Sequence, residues 1–196
     1  MIQMKALRKS VGAMIATLLL VAAGTNAVAG GLSGAIFTTD VTGLFVNGNV
    51  YDHADEVYLN GGPKPNAPCT AAGLPSDPGG SNYYFQVTDP SGKVLLSLDP
   101  VTAREVKVEG GVIVGPAGIS SNHSFSAAVG QCPSQTVQLC PFGPSPNAGE
   151  EYKVWMTKVA DYNNADGFFV PSKSKTDNFK VTEYTGKYCP PPGPDD

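Results

Sequence analysis

The stretch GGSNYYFQVTDPSGKVLLSLDP, Gly79 to Pro100, is the segment from which the fold class follows. In NYYFQVT, Tyr83, Phe85 and Val87 alternate with Tyr84, Gln86 and Thr88. A period of two puts the first set on a core face and the second toward solvent or another sheet. DPSG then reverses the chain. Pro90 fixes φ at the second turn position, Asp89 can accept from nearby backbone, and Gly92 accepts the left-handed conformation that a type I turn with a bulge needs. KVLLSLD is expected to return as the partner strand, with Val94, Leu96 and Leu98 inward.

The same grammar runs through the rest of the chain. AIFTTDV predicts a strand near Ala35 to Val41, and EVYLN a short one with Val57 and Leu59 on one face. REVKVEGG carries Val106 and Val108 inward and turns at Glu109-Gly110-Gly111 into VIVG. EYKVWMTKV puts Tyr152, Val154 and Met156 on one face, and SKTDNFKV does the same for Phe179 and Val181. Gly61–Gly80 and Gly115–Glu150 read as long loops, with TVQL a strand inside the second. The 196 residues include 23 Gly and 17 Pro, an excess that suits turns and opposes a helical bundle. Eight or so short strands with no convincing helix among them make an all-β, antiparallel sandwich, with a barrel as the alternative.

The N-terminus reads as an address. Lys5, Arg8 and Lys9 precede an apolar run from Val11 to Gly24, and Ala27 and Ala29 provide the small-residue cleavage pattern of a secretory signal peptide. The apolar run falls short of the roughly 20 residues that span a bilayer. The expected organisation is a signal peptide over 1–29, a β-sandwich domain over 30–188 and a Pro-rich tail over 189–196. No membrane insertion is expected after cleavage, and the localisation read from this is secreted or extracellular. The chain holds 13 Lys+Arg and 17 Asp+Glu. Loss of the three signal bases leaves 10 against 17, a formal charge of −7, with Arg104 the one remaining arginine. Nucleic-acid binding needs a basic footprint to replace phosphate counterions, and that function class is set aside.

Several constellations could carry chemistry. Cys69, Cys132, Cys140 and Cys189 all lie in the exported part, where an even number favours disulfides over metal binding. Of the three possible pairings, Cys132 with Cys140 is the shortest closure and leaves Cys69 with Cys189. Oxygen ligands suited to calcium cluster at Asp52, Asp55 and Glu56, and again at Asp161, Asn163 and Asp166, although Ala165 occupies one ligand slot of the second. No other cofactor is expected. Trp155 and Tyr84 fall on the strand faces opposite the core sets, where exposed aromatics would contact a glycan or a protein unless a long loop covers them. His53 lies among Asp52, Asp55 and Glu56, and His123 lies between Ser121 and Ser124. Neither comes with a nucleophile-elbow or metalloprotease motif, so no catalytic residue is assigned.

GLPSDPGGSNYYFQVTDPSGKVLLSLDP resembles the paired strands of bacterial secreted and cell-surface modules of the collagen-adhesin B and SdrD B-like type. The likeness is good over Gly73 to Val108 and looser over Tyr152 to Val181. It implies an immunoglobulin-like or prealbumin-like sandwich, non-enzymatic, serving as a structural or adhesive element toward other extracellular proteins or glycans. The first strand, AIFTTDVTG, has no Lys, so the isopeptide crosslink of many such modules is not carried over. A calcium- or carbohydrate-binding module is the alternative, and an extracellular hydrolase a more distant one.

Overall fold

The inward sets of alternating residues determine how the strands stack. In the computed structural model, which describes residues 32–118, 123–130, 132–163 and 169–184, the strands are β1 (Ala35–Thr39), β2 (Val50–Tyr51), β3 (Tyr58–Gly62), β4 (Ser81–Thr88), β5 (Glu105–Glu109), β6 (Val112–Pro116), β7 (Phe125–Ala128), β8 (Ser134–Gln138), β9 (Glu151–Lys158) and β10 (Ser174–Val181). They form a four-stranded sheet in the order β1-β3-β8-β7 and a six-stranded sheet in the order β2-β10-β9-β4-β5-β6. Every pairing is antiparallel except the short parallel contact of β2 with β10. The protein is an all-β sandwich.

The core lies between the sheets. Tyr83, Phe85, Val87, Val106, Val108, Tyr152, Val154, Met156, Phe179 and Val181 of the larger sheet are all buried, as their alternation predicts. Ile36, Leu59, Val137 and Leu139 meet them from the smaller one. Each such side chain contributes about 1.5–3 kcal/mol through apolar burial. The two sheets are also joined at one edge. Asp177 of β10 accepts from the Thr38 backbone N–H at 2.7 Å and from the Thr38 hydroxyl at 3.1 Å on β1.

Three expectations are corrected. KVLLSLD is not a regular strand. Leu96 N–H and Ser97 N–H both donate to the Val87 carbonyl, a bulge, and Ser97 then pairs with Phe142. Val94 and Leu98 are exposed, and of the three residues expected inward only Leu96 is buried. The regular partner of β4 on this side is β5. Gly115–Glu150 is not a loop throughout, because it holds β7 as well as β8. The outer face of β4 and β9 is not open. Gln86, Thr88 and Trp155 are buried, with Trp155 only 8% exposed.

The cover over Trp155 is the DPSG turn. A Cβ on Gly92 would lie 2.7 Å from the indole, and its φ of +75° is left-handed. Asp89 builds the turn by accepting from the N–H groups of Lys93 and Val94 at 2.7 and 2.8 Å. Partial burial works against ionisation of Asp89, but the Ser91 hydroxyl and these backbone donors outweigh it and bring its pKa down to about 2.

Gly92→Ala should therefore cost at least about 1 kcal/mol, from backbone strain added to the indole clash. Urea titration would measure this, and Trp155 fluorescence should shift to the red as the cover lifts. Because the folded pKa of Asp89 lies below its ordinary value of 3.8, its stabilisation is present above about pH 4 and disappears as pH falls through about 2. The stability gap between the parent and Asp89→Ala should narrow over that window in acid titrations monitored by circular dichroism.

Candidate functional site

The strands end where the polar chemistry begins. β1 runs into Asp40 and the loop 41–49, β2 carries Val50 and Tyr51, and a short 3-10 turn, Ala54–Glu56, leads into β3. Between these segments opens a cavity of about 480 Å3, lined by Asp40, Val41, Phe45, Val50, Tyr51, Asp52, Asp55, Glu56 and Tyr58. The first predicted acidic cluster is thus brought together in one hollow, with aromatic walls that the sequence reading did not assign to it.

Local hydrogen bonds hold these groups in place. Asp40 accepts from the Thr42 hydroxyl at 2.9 Å and from Phe45 N–H at 3.4 Å, which draws the loop back over β1. Partial burial pushes its carboxyl up, but these donors prevail and its pKa lies below the usual carboxylate range. Glu56 accepts from His53 N–H at 3.2 Å, and Asp52 from the Thr182 hydroxyl at 3.3 Å. Phe45 stands edge-on to Tyr51, with ring centroids 6.3 Å apart. Burial, then the charges of Asp177 and Asp40, push the Tyr51 hydroxyl up, and the neighbouring Thr38 hydroxyl only partly offsets them. That Thr38 hydroxyl donates to Asp177, and Tyr51 Oη is buried without a hydrogen-bond partner. Tyr58 is pushed up by burial and by Asp55 beside it.

The second acidic cluster lies partly outside the described residues. Asp161 pairs with Lys173 at 3.3 Å, Asn163 is exposed, and Asp166 lies outside the described residues. Among the described residues, no three His, Cys, Asp or Glu side chains gather as a metal-holding group.

The aromatic candidates are occupied with packing. Trp155 Nε1 donates to the Thr88 hydroxyl at 2.9 Å, and Lys153 lies 5.4 Å from its ring. Tyr84 is half-buried, edge-on to Tyr162 at 5.2 Å, and Tyr162 in turn meets the buried Phe169. The face that alternation left open is covered by the segment after β9 and by the DPSG turn.

The cysteines pair differently from the shortest closure. Cys69 is joined to Cys132, 63 residues apart, and this replaces the Cys69–Cys189 pairing as well as the Cys132–Cys140 one. Cys132 and Cys140 flank extended β8, where eight residues at about 3.3 Å each separate them far beyond disulfide reach. Cys140 is also disulfide-bonded, and Cys189 lies outside the described residues.

His123 is buried, 5% exposed. Its Nδ1 lies 2.8 Å from the Gln138 carbonyl and its Nε2 2.9 Å from Asp99 Oδ2, with Phe85 edge-on at 4.8 Å. Each ring nitrogen thus lies within hydrogen-bond distance of an oxygen. Arg104, 2% exposed, stands 3.8 Å from Asp99 Oδ1, and burial pushes its guanidinium down despite that partner. Ser121 lies outside the described residues. His53 sits at the start of the 54–56 turn and is half-buried.

No family model matches the chain, and neither a curated protein nor a solved structure matches it. Its function is therefore argued from its own groups.

Removing one member of the buried charge cluster leaves the others without compensation. Asp99→Ala should cost about 3 kcal/mol, by the penalty for breaking a buried ion pair. Urea midpoints would check this, with Asp99→Asn expected to lose less because it keeps an acceptor toward His123.

Proposed function

We propose that this chain is exported and works as a non-enzymatic structural or adhesive β-sandwich of the bacterial cell surface or matrix, holding other extracellular proteins or glycans. The observation that carries the reading is the Cys69–Cys132 disulfide, which clips the long loop 61–80 to the segment entering β8. Such crosslinks form and persist in oxidising compartments. The basic and apolar N-terminal run supplies the export signal. Among the described residues no helix is long and apolar enough to cross a membrane. The resemblance of Gly73–Val108 to bacterial surface modules supports the structural or adhesive role.

A second reading, a calcium- or carbohydrate-binding module, is favoured by one observation: Asp52, Asp55 and Glu56 share a solvent-open cavity. The two readings are compatible where adhesion runs through that cavity.

Expression of the full chain in a bacterial host tests the proposal. The expected product starts at Gly30, lies outside the cytoplasm and has no free thiol. Beads coated with it should adhere to envelope or matrix material of the producing cells, and beads coated with denatured protein should not. Unprocessed, reduced protein retained in the cytoplasm would sink the reading.

A further inference from the structure

The cavity at the β1–β2 end combines two kinds of lining that seldom share a small hollow. Asp40, Asp52, Asp55 and Glu56 supply four carboxylates, and Phe45, Tyr51 and Tyr58 supply three aromatic rings. At its rim Val41, Phe45 and Val50 are 42%, 53% and 53% exposed. Carboxylates alone would suit any cation. Apolar rims and ring faces suit one that carries carbon, because aromatic faces attract cations while the rim covers an apolar stem. The carboxylates line the walls and do not converge as a metal-holding group. Tyr51 is 5% exposed, so its ring lines the hollow while its hydroxyl is buried, with Thr38 and Asp177 beside it.

We infer that this cavity binds the cationic side chain of a partner protein, a Lys ammonium or Arg guanidinium whose methylene stem lies against Phe45 and Val50. This rests on the adhesive reading and names the chemistry of its contact. The carboxylates attract the charged head, and the rings hold the stem. A volume of about 480 Å3 admits one such side chain together with its backbone neighbours. The contact is sensitive to ionic strength, since the charges lie at the surface.

Amide chemical shifts of the labelled, disulfide-intact chain provide the test. The probes are capped Gly-Lys-Gly and Gly-Arg-Gly, capped Gly-acetyl-Lys-Gly, n-butylammonium and calcium chloride. The expected result is saturable shifts confined to residues 40–58 with the cationic peptides and none with the acetylated peptide, which has lost its charge. Asp52→Asn with Asp55→Asn should weaken binding about fivefold or more, and Phe45→Ala about threefold. All three positions are exposed, so the melting temperature should hold and serves as the control for folding. Butylammonium binding as tightly as the peptides would overturn the assignment to a partner protein and make this a site for free amines. Calcium moving the same amides while both cationic peptides leave them still would overturn the inference altogether. Bead adhesion that persists without peptide binding would sink this inference and leave the adhesive reading standing. Peptide binding without bead adhesion would do the reverse.

Discussion

Two neighbouring strands, β4 and β9, are buried on both faces, and the rest of the molecule is arranged to make that possible. Their inner faces, Tyr83, Phe85 and Val87 against Val154 and Met156, form the middle of the core. Their outer faces bring Gln86, Thr88 and Trp155 together, and this surface is sealed as well. Trp155 is too large and too polar at one edge to be buried without a partner. It donates to Thr88 on the neighbouring strand, and the Asp89–Gly92 turn closes over the ring. Further along, Tyr84, Tyr162 and Phe169 interlock edge to edge. The sandwich therefore has a partial third layer over the centre of its larger sheet.

A sealed centre moves accessible chemistry to the ends of the strands. The loop 61–80 is fastened down. Cys69 is bonded to Cys132, Leu74 enters the core, and Gly73 lies so close to the Gly111 backbone that no side chain fits there. One open hollow with convergent polar groups lies where β1, β2 and β3 meet. Its geometry follows from the parallel pairing of β2 with β10, which brings Tyr51 opposite Val181 and leaves Asp52 at the mouth. The Asp177–Thr38 contact across the two sheets holds the walls of that hollow together.

Alternation of residues was enough to read the inner faces of β4, β5, β9 and β10, because burial there depends only on strand phase. It failed for Gln86, Thr88 and Trp155, whose cover comes from turns and segments elsewhere, and phase carries no information about them. KVLLSLD has the composition of a strand, yet β5 takes the place beside β4, and the bulge at Val87 diverts the segment toward Phe142. The acidic half of the cavity was legible as Asp52, Asp55 and Glu56, because they lie together in sequence. Its aromatic half was not, since Phe45, Tyr51 and Tyr58 are joined only by loop closure and sheet pairing. The His123–Asp99–Arg104 cluster could not be read for the same reason. The pairing of Cys69 with Cys132 runs against sequence economy, because an extended strand keeps near neighbours apart.

Charge offers the clearest case of what composition conceals. A net negative chain is poor at binding polyanions, which removes a function class without locating any site. Two hollows of the structure carry linings of opposite charge. β1, β3 and β10 all run between the acidic hollow and a second hollow at their opposite ends, lined by Lys64 and Lys175. Burial, then the like charge of Lys64, lowers the Lys175 pKa. The overall charge averages over this polarity. The two hollows differ in the sign of the charged groups that line them. The strand directions are what turn a modest excess of acids into a directional surface.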